Sequence, residues 1–224
     1  VERLPHGYTN LTRRRDRGSI EKRYTGSRRW QNFERELACL THLQGLLPVP
    51  RVIDADRSVP RLLVEEIRGE HGQDLIERGH GRAVLELTGT TLARLQRLPP
   101  DTVPTLMGNG AVLVHGDFGP QNMLFDLASG SVAAVVDWES ARIGQRVEDL
   151  AWAEWIVRMH HPDLVGDLSL LFESSGQTPQ WEDRKTWMLR QCKEILDYCE
   201  SEAMTASAQD WRTRLRQTTG WREP

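Results

Sequence analysis

The alternation of apolar and polar positions predicts that the first part of the chain combines short strands with one helix. Two strand-like runs, at 9–12 and 19–24, flank a turn at 16–18. The next segment carries apolar residues at the spacing of one helix face; these are Phe33, Leu37, Leu40 and Leu43. Gly45 ends this predicted helix, and a further strand is predicted at 61–67.

The rest of the chain predicts mostly helices, which enclose one short strand and one hairpin. Helices are predicted at 82–98, 147–160, 164–174, 181–200 and 207–217. The first of them carries a clear apolar stripe. A short apolar strand is predicted at 112–114, and a hairpin joins 123–125 to 132–136. The pattern therefore indicates an α+β fold with a small lobe at 1–67 and a mostly helical lobe at 68–224.

The net charge of −3 conceals an uneven distribution of charged residues along the chain. Residues 1–35 carry ten Lys and Arg against four Asp and Glu, and the remaining 189 residues carry 19 against 28. The overall acidity argues against a nucleic-acid partner. The excess of acidic residues after residue 35 favours a cationic ligand, although two of these carboxylates, Asp117 and Asp137, are themselves candidates for a metal ligand and a base.

Composition also bears on where the protein resides. No apolar run reaches the length of about 18 residues that a membrane span requires, and the first 35 residues lack the apolar segment of a secretory signal. The three cysteines are widely spaced, which predicts neither a disulfide framework nor a zinc site. We therefore expect a cytoplasmic protein without membrane attachment. We also expect it to be a monomer or a weak dimer.

The most informative segment is the run His-Gly-Asp-Phe-Gly-Pro-Gln-Asn at 115–122, followed by Asp-Trp-Glu at 137–139. Asp117 and Asn122 directly follow a predicted buried strand, and Asp137 ends the hairpin, so we expect the three side chains to lie close together. The amide oxygen of Asn122 and the carboxylate of Asp137 are hard ligands that suit Mg²⁺. The Asp117 carboxylate remains available to accept a proton from a hydroxyl group.

This arrangement resembles the aminoglycoside phosphotransferase and choline-kinase-like family, a branch of the protein-kinase fold. The kinase pattern has the same spacing between a catalytic Asp and a metal-binding Asn, and a second metal-binding Asp in D-F-G. The resemblance implies a bilobal kinase-like fold in which Asp117 is the catalytic base and Asn122 and Asp137 bind Mg²⁺. It also implies that His115 and Asp149, the latter in a D-L-A motif, support the catalytic loop.

A kinase-like small lobe also needs a strand lysine on the nucleotide phosphates and a helix glutamate that holds it. Only three of the 29 basic residues are lysines, and Lys22 lies in a predicted strand. Glu36 lies on the following predicted helix, with Glu34 as a near competitor. A glutamate partner would keep Lys22 charged and aimed at phosphate, whereas a plain surface ion pair contributes little.

Two further segments match nucleotide-binding parts of the family. Residues 63–69 resemble the hinge between the lobes, where the carbonyl of Glu65 and the amide of Ile67 would by position bind the nucleobase of ATP or GTP. The phosphate-covering loop lacks the glycine-rich kinase pattern. Thr9 and Asn10 in that loop either donate to phosphate oxygens or form an ordinary turn.

The resemblance implies transfer of the γ-phosphoryl group of ATP or GTP to a hydroxyl group of a small molecule. An aminoglycoside or another basic antibiotic, inactivated by this transfer, is one candidate acceptor; choline, an amino alcohol, a sugar and a nucleoside antibiotic are others. A catalytically silent kinase-like nucleotide-binding module is the alternative. A protein kinase is disfavoured, because Gly116 replaces the arginine of H-R-D and no A-P-E segment follows Asp137.

Two features concern the acceptor side. Only 45 residues separate Gly69 from His115, which leaves room for a small helical insertion and implies either an open acceptor site or a small acceptor. Trp152 and Trp155 lie one turn apart on a predicted helix. They are interpreted either as core residues or as a wall of the acceptor pocket.

Overall fold

The fold begins with a four-stranded antiparallel sheet in the order β1-β2-β4-β3, in a computed structural model that describes residues 10–15 and 18–223. The strands are β1 (Leu11–Arg15), β2 (Ser19–Arg23), β3 (Val52–Asp56) and β4 (Arg61–Glu65). Successive side chains of a strand point to opposite faces of the sheet. In β2, Glu21 therefore lies on one face with Arg13, while Lys22 lies on the other face, toward the following helix.

Helix α1 (Arg29–His42) packs against β3 and β4, and its buried face contains a glutamate. Phe33, Leu37 and Leu40 are buried at the spacing of one helix face, and Glu36 lies among them with 5% of its surface exposed. A buried carboxylate is costly unless it is paired. The position of Glu36 therefore requires a cationic or hydrogen-bonding partner.

The rest of the molecule consists of helices around a three-stranded sheet and a two-stranded ribbon. The strands are β5 (Glu70–His71), β6 (Val112–Val114), β7 (Met123–Asp126), β8 (Ser131–Val135) and β9 (Arg142–Gly144). The helices are α2 (Gly72–Leu75), α3 (Gly81–Leu95), α4 (Val147–His160), α5 (Leu168–Ser175), α6 (Trp181–Ser201) and α7 (Thr205–Gly220). Strand β7 lies between β5 and β8, and β6 pairs with β9. Helix α3 packs on α5, while α6 packs on α4 and α7.

This architecture agrees with the predicted α+β fold, and the predicted helices occur with small shifts at their ends. The largest shift concerns the helix predicted at 164–174, where α5 begins only at Leu168. The preceding segment Pro162–Asp167 forms a 3₁₀ helix instead. Proline favours the first position of such a turn because its φ is already fixed near the helical value.

Strand β3 is absent from the sequence prediction, and its place in the sheet explains why. It lies at the edge and pairs only with β4, and both Ile53 and Asp54 are exposed. An edge strand with polar and exposed positions lacks the regular apolar alternation that marks a half-buried strand. The strand predicted at 61–67 ends earlier, at Glu65, and residues 16 and 17 of the predicted turn lie outside the described residues.

In the part of the chain that the structure describes, no helix combines the length and the apolar character that crossing a bilayer requires.

Candidate functional site

A buried strand delivers the loop that carries Asp117. Strand β6 is buried over its whole length, and the chain leaves it through His115 and Gly116. The Asp149 carboxylate, at the start of α4, accepts the backbone N–H of His115 at 2.8 Å and that of Gly116 at 2.9 Å. Burial raises the pKa of Asp149 to about 6, although these two bonds oppose the shift. Asp149, which was predicted to support the loop, thus contacts the first two residues of that loop.

His115 connects the loop to the end of the hairpin. Its Nε2 lies 2.9 Å from the carbonyl oxygen of Val136, and its Nδ1 accepts the backbone N–H of Asp117 at 3.2 Å. These contacts require a neutral ring that carries its proton on Nε2. Burial favours the same state, because it lowers the pKa of His115 to about 4.

The backbone and surroundings of Gly116 leave no room for a side chain. Its φ of 84° lies in the left-handed region, which favours glycine. A Cβ at this position would collide with the carbonyl oxygen of Ser140, and the guanidinium of Arg142 lies close by. A larger residue at position 116 is therefore incompatible with this loop.

The carboxylate of Asp117 is held by three donors. Trp152 Nε1 donates to Oδ1 at 2.8 Å, Asn122 Nδ2 donates to Oδ2 at 2.8 Å, and the amide nitrogen of Gln121 lies 3.2 Å from Oδ1. Burial raises the pKa of Asp117 to about 6, while the hydrogen bonds from Trp152 and Asn122 oppose that rise. The group is therefore mostly ionised near neutral pH, the state that a base requires.

The two predicted metal ligands lie next to each other across the hairpin. The backbone N–H of Val136 donates to the carbonyl oxygen of Asn122 at 2.9 Å, so Asp137 follows directly beside Asn122. Because the Asn122 amide nitrogen is engaged by Asp117, its side-chain oxygen remains available. A carboxylate and an amide oxygen at this place fit the ligand chemistry of Mg²⁺.

Lys22 joins the small lobe to this hairpin. Its Nζ lies 2.6 Å from Glu36 Oε2, contacts Asp137 Oδ1 directly and lies 3.9 Å from Glu139 Oε2. Burial alone disfavours the charged amine, but the attraction of these carboxylates outweighs it, so the pKa of Lys22 is raised and the side chain stays charged. The competitor Glu34 instead pairs with Arg57 at the surface, at 3.0 Å.

Glu139, the last residue of the Asp-Trp-Glu run, forms hydrogen bonds with the small lobe. Asn10 Nδ2 donates to its carboxylate at 2.7 Å, and Arg35 donates to its carbonyl oxygen at 2.7 Å. Burial raises the pKa of Glu139 to about 7. The amide nitrogen predicted to meet phosphate is thus bonded to Glu139, and Thr9 lies outside the described residues.

A cleft of about 770 Å³ connects these residues with the predicted hinge. Its inner end is formed by Lys22, Glu36, Asn122 and Asp137, and its lining also includes Asn10, Glu65 and Ile67. Apolar walls are supplied from both lobes by Ile20, Leu62, Val64 and Leu124. The volume lies within the range of about 300–1,000 Å³ that is usual for small-molecule sites. Apolar walls beside buried charged groups suit a flat base joined to phosphates, and further charged side chains, among them Arg14, Glu66 and Arg78, also line the cleft.

Tyr24 and Glu139 were assigned no role from the sequence, and Trp152 was interpreted as a core residue or as a wall of the acceptor pocket. Tyr24 donates its hydroxyl to Glu36 at 2.6 Å, Glu139 contacts Asn10, and Trp152 contacts Asp117. The Asp-Trp-Glu run made Glu139 visible, but nothing in its spacing indicated its partners. Trp152 is buried and stacks on Trp155 with ring centroids 4.4 Å apart. It is therefore a core residue and a neighbour of Asp117 at once.

Comparison with known families places the chain among phosphotransferases. The model of the phosphotransferase enzyme family matches residues 1–108 and 108–167, which together make up most of the chain. The matched region includes Lys22, Glu36, the loop at 115–122 and the hairpin that ends at Asp137.

Solved structures of low sequence identity share the fold over nearly the whole chain. An aminoglycoside phosphotransferase, APH(4)-Ia, in a ternary complex with ADP and hygromycin B has a TM-score of 0.67 at 17% identity, covering 97% of this chain and 92% of its own. A choline/ethanolamine kinase family protein from Mesorhizobium loti reaches 0.72 at 12% identity, covering 98% and 88%. The gentamicin complex of APH(2")-IIa reaches 0.75 at 13% identity, covering 96% and 90%. The predicted kinase-like fold is confirmed by these similarities.

Curated relatives are similar over shorter stretches. The acyl-CoA dehydrogenase family member 11 of Gallus gallus is 28% identical over 147 residues, which cover 53% of this chain and 18% of the relative. The hygromycin-B 4-O-kinase of Escherichia coli is 36% identical over 67 residues, which cover 24% of this chain and 19% of the relative. The chain thus spans less than a fifth of the length of these relatives in the matched regions.

Proposed function

Because this chain belongs to the phosphotransferase enzyme family, we propose that it transfers the γ-phosphoryl group of ATP or GTP to a hydroxyl group of a small molecule. One observation carries the proposal. Lys22 and Glu36 from the small lobe meet Asp137 from the hairpin at the inner end of one cleft, and Asp117 is held close by through Asn122. This set combines a phosphate-binding cation, metal ligands and a base, which phosphoryl transfer requires.

The nucleotide is assigned to the cleft between the two lobes, with residues 1–67 as the nucleotide-binding lobe. The nucleobase would lie between the apolar walls at the hinge, where the backbone carbonyl of Glu65 and the backbone amide of Ile67 would bind it. Lys22, oriented by Glu36, would bind the phosphates as a point charge. Residues 68–224 would supply the catalytic loop, the metal site and the acceptor site.

Magnesium fits the donor set at the inner end of the cleft. The side-chain oxygen of Asn122 and the carboxylate of Asp137 would hold the ion, and both are hard oxygen ligands. When bound, the ion neutralises charge on the nucleotide phosphates. Lys22 contributes positive charge from the opposite lobe, and its partners Glu36 and Asp137 keep it in place.

The reaction proposed for this site is a direct displacement at phosphorus. The acceptor hydroxyl oxygen forms a bond to the γ-phosphorus as the bond from that phosphorus to the β-phosphate bridging oxygen breaks. Asp117 accepts the hydroxyl proton, and ADP or GDP leaves with the electron pair of the broken bond. Catalysis then rests mainly on positioning and on stabilisation of charge by fixed groups.

Two kinds of relative support two classes of acceptor. One relative is named for phosphorylating hygromycin B, and the similar solved structures include complexes with hygromycin B and gentamicin. An aminoglycoside, whose phosphorylation would confer resistance, is therefore the first acceptor we propose. Two other relatives are named as acyl-CoA dehydrogenases, so a hydroxylated acyl-CoA thioester is a second acceptor to be tested.

A pair of glutamates on α1 offers a test of how Lys22 is held. Glu36→Ala should lower kcat/KM by about 10- to 100-fold, since a hydrogen bond to a charged partner is lost. Glu34→Ala removes a carboxylate of the same helix that pairs only with the exposed Arg57, and should change kcat/KM by less than about twofold. Steady-state kinetics on both variants measures this difference. An equal loss in the two variants would contradict the assignment of Glu36.

The proposed reaction is tested by incubating the protein with Mg²⁺ and either ATP or GTP against a panel of acceptors. The panel contains aminoglycosides, choline, simple sugars and hydroxylated acyl-CoA thioesters, with EDTA reactions as controls and mass spectrometry as the readout. A magnesium-dependent phosphorylated small molecule supports the proposal and identifies the acceptor. Phosphate appearing only on added protein would indicate a protein kinase instead. Nucleotide binding with neither transfer nor hydrolysis would indicate a silent binding module.

A further inference from the structure

The carboxylate of Asp117 receives a hydrogen bond from a tryptophan in a different part of the chain. Trp152 lies in α4, 35 positions after Asp117, and its indole Nε1 donates to Asp117 Oδ1 at 2.8 Å. An indole nitrogen can only donate. The contact therefore favours a carboxylate that presents an unprotonated oxygen to the ring.

This hydrogen bond is the shortest restraint on Oδ1. Gln121 reaches the same oxygen at 3.2 Å through a flexible amide, while Asn122 holds the other oxygen, Oδ2, at 2.8 Å. Trp152 and Asn122 thus each fix one oxygen. With both oxygens fixed, the plane of the carboxylate is fixed as well.

The ring of Trp152 is itself immobilised by its packing. It is buried and lies parallel to Trp155, with an angle of 4° between the rings and 4.4 Å between their centroids. Trp211 stacks on the same pair, 6.2 Å from Trp152. A buried ring in such a stack has little freedom to move, so its N–H group points to a constant position beside the base.

We propose, building on the function proposed above, that Trp152 is a positioning residue for phosphoryl transfer: its indole N–H holds the Asp117 carboxylate in the orientation that receives the proton of the acceptor hydroxyl. Small errors in the placement of a reacting group cost large factors in rate. Trp152 acts through Asp117, so its removal should slow the chemical step without weakening the binding of either substrate.

The neighbouring Trp155 provides a matched control. It is equally buried and belongs to the same stack, but its Nε1 donates to Thr218 Oγ1 at 2.9 Å, away from the catalytic loop. Trp152→Phe should lower kcat by about 10-fold or more, as expected for loss of a hydrogen bond to a charged group, with both KM values unchanged. Trp155→Phe should leave kcat within about twofold, because phenylalanine keeps an aromatic ring stacked on Trp152 and the N–H group that it removes does not reach Asp117. Both variants lose the same ring volume and one indole hydrogen bond, so a loss of packing in the stack alone would not single out position 152.

A second substitution removes only the N–H group. Benzothienylalanine, incorporated at position 152, keeps a bicyclic ring and replaces the nitrogen with sulfur. At position 152 we expect it to reproduce the loss of kcat of Trp152→Phe. At position 155 we expect it to leave kcat unchanged. If Trp152→Phe does not fold, the comparison of benzothienylalanine at positions 152 and 155 tests the positioning role of the Trp152 N–H group.

The outcomes separate this inference from the function on which it rests. If the wild-type chain phosphorylates an acceptor but kcat is the same with and without the N–H at position 152, the positioning role is wrong and the function stands. A raised KM with unchanged kcat would likewise overturn it. If the wild-type chain phosphorylates none of the acceptors, the proposed function fails and takes the positioning role with it.

Discussion

Replacing Asp117 with asparagine should reduce phosphoryl transfer by about 10³-fold, the usual contribution of a positioned acid or base. Asparagine has nearly the same shape but cannot accept the hydroxyl proton. The cleft assigned to the nucleotide is lined by other residues, among them Lys22, Asn122 and Asp137. The affinity for MgATP should stay within about twofold, because Asp117 does not itself line this cleft and the Asn122 amide keeps its hydrogen bond to the backbone carbonyl oxygen of residue 117.

Two measurements on the same preparation check this result. Initial rates with the identified acceptor give the loss of turnover, and calorimetric titration with MgATP gives the affinity. Asp126→Asn is the matched control, since Asp126 is an exposed turn aspartate that accepts hydrogen bonds from Ala128 and Ser129. Turnover of the Asp117 variant within about tenfold of the wild type would exclude Asp117 as the general base.

Replacing Asp137 with asparagine should remove most of the magnesium dependence of nucleotide binding. The substitution takes away one negative charge at the inner end of the cleft, where Mg²⁺ is proposed to bind. Asp137 has a φ of 69°, a conformation that asparagine tolerates better than alanine, so this variant tests the charge with little backbone strain. We expect affinity for ATP in the presence of Mg²⁺ to fall by at least about 10-fold, the scale of losses at metal sites.

The measurement compares ATP binding with Mg²⁺ and with EDTA for each protein. The wild type should bind more tightly with Mg²⁺, and the Asp137 variant should show little difference between the two conditions. Asp54→Asn is the control, because Asp54 belongs to an exposed pair with Arg61 and should leave the magnesium effect intact. A full magnesium effect in the Asp137 variant would show that this carboxylate does not hold the metal.

The two lobes are joined at the same residues that the proposed chemistry uses. Lys22 contacts Glu36 in its own lobe and Asp137 in the other, and Asn10 and Arg35 both bind Glu139. Removing one partner of a buried ion pair strongly destabilises the fold, because the other charge is left buried and unpaired. Variants at Lys22 or Asp137 should therefore be checked for folding before their kinetics are interpreted.

Much of the fold and part of the site follow from short-range sequence patterns. The apolar stripe predicted helix α1, which carries both Glu34 and Glu36, and the run at 115–122 predicted a polar loop after a buried strand. Lys22 stood out because lysine is rare in this chain. These features are local: helix and strand periods, turn residues and motif spacing each involve residues within a few positions of one another.

The pairings within the site were decided only by the tertiary structure. Lys22 and Asp137 lie 115 positions apart, and Trp152 reaches Asp117 from 35 positions away. The sequence indicated only that Trp152 is a core residue or a wall of the acceptor pocket. Which of Glu34 and Glu36 meets Lys22 depends on how α1 is rotated against the sheet, since the two residues point to different sides of the helix. The sequence by itself indicated the candidate residues for the proposed chemistry. Their partners depended on long-range packing of helices and strands, because no local pattern records which distant surfaces are buried against each other.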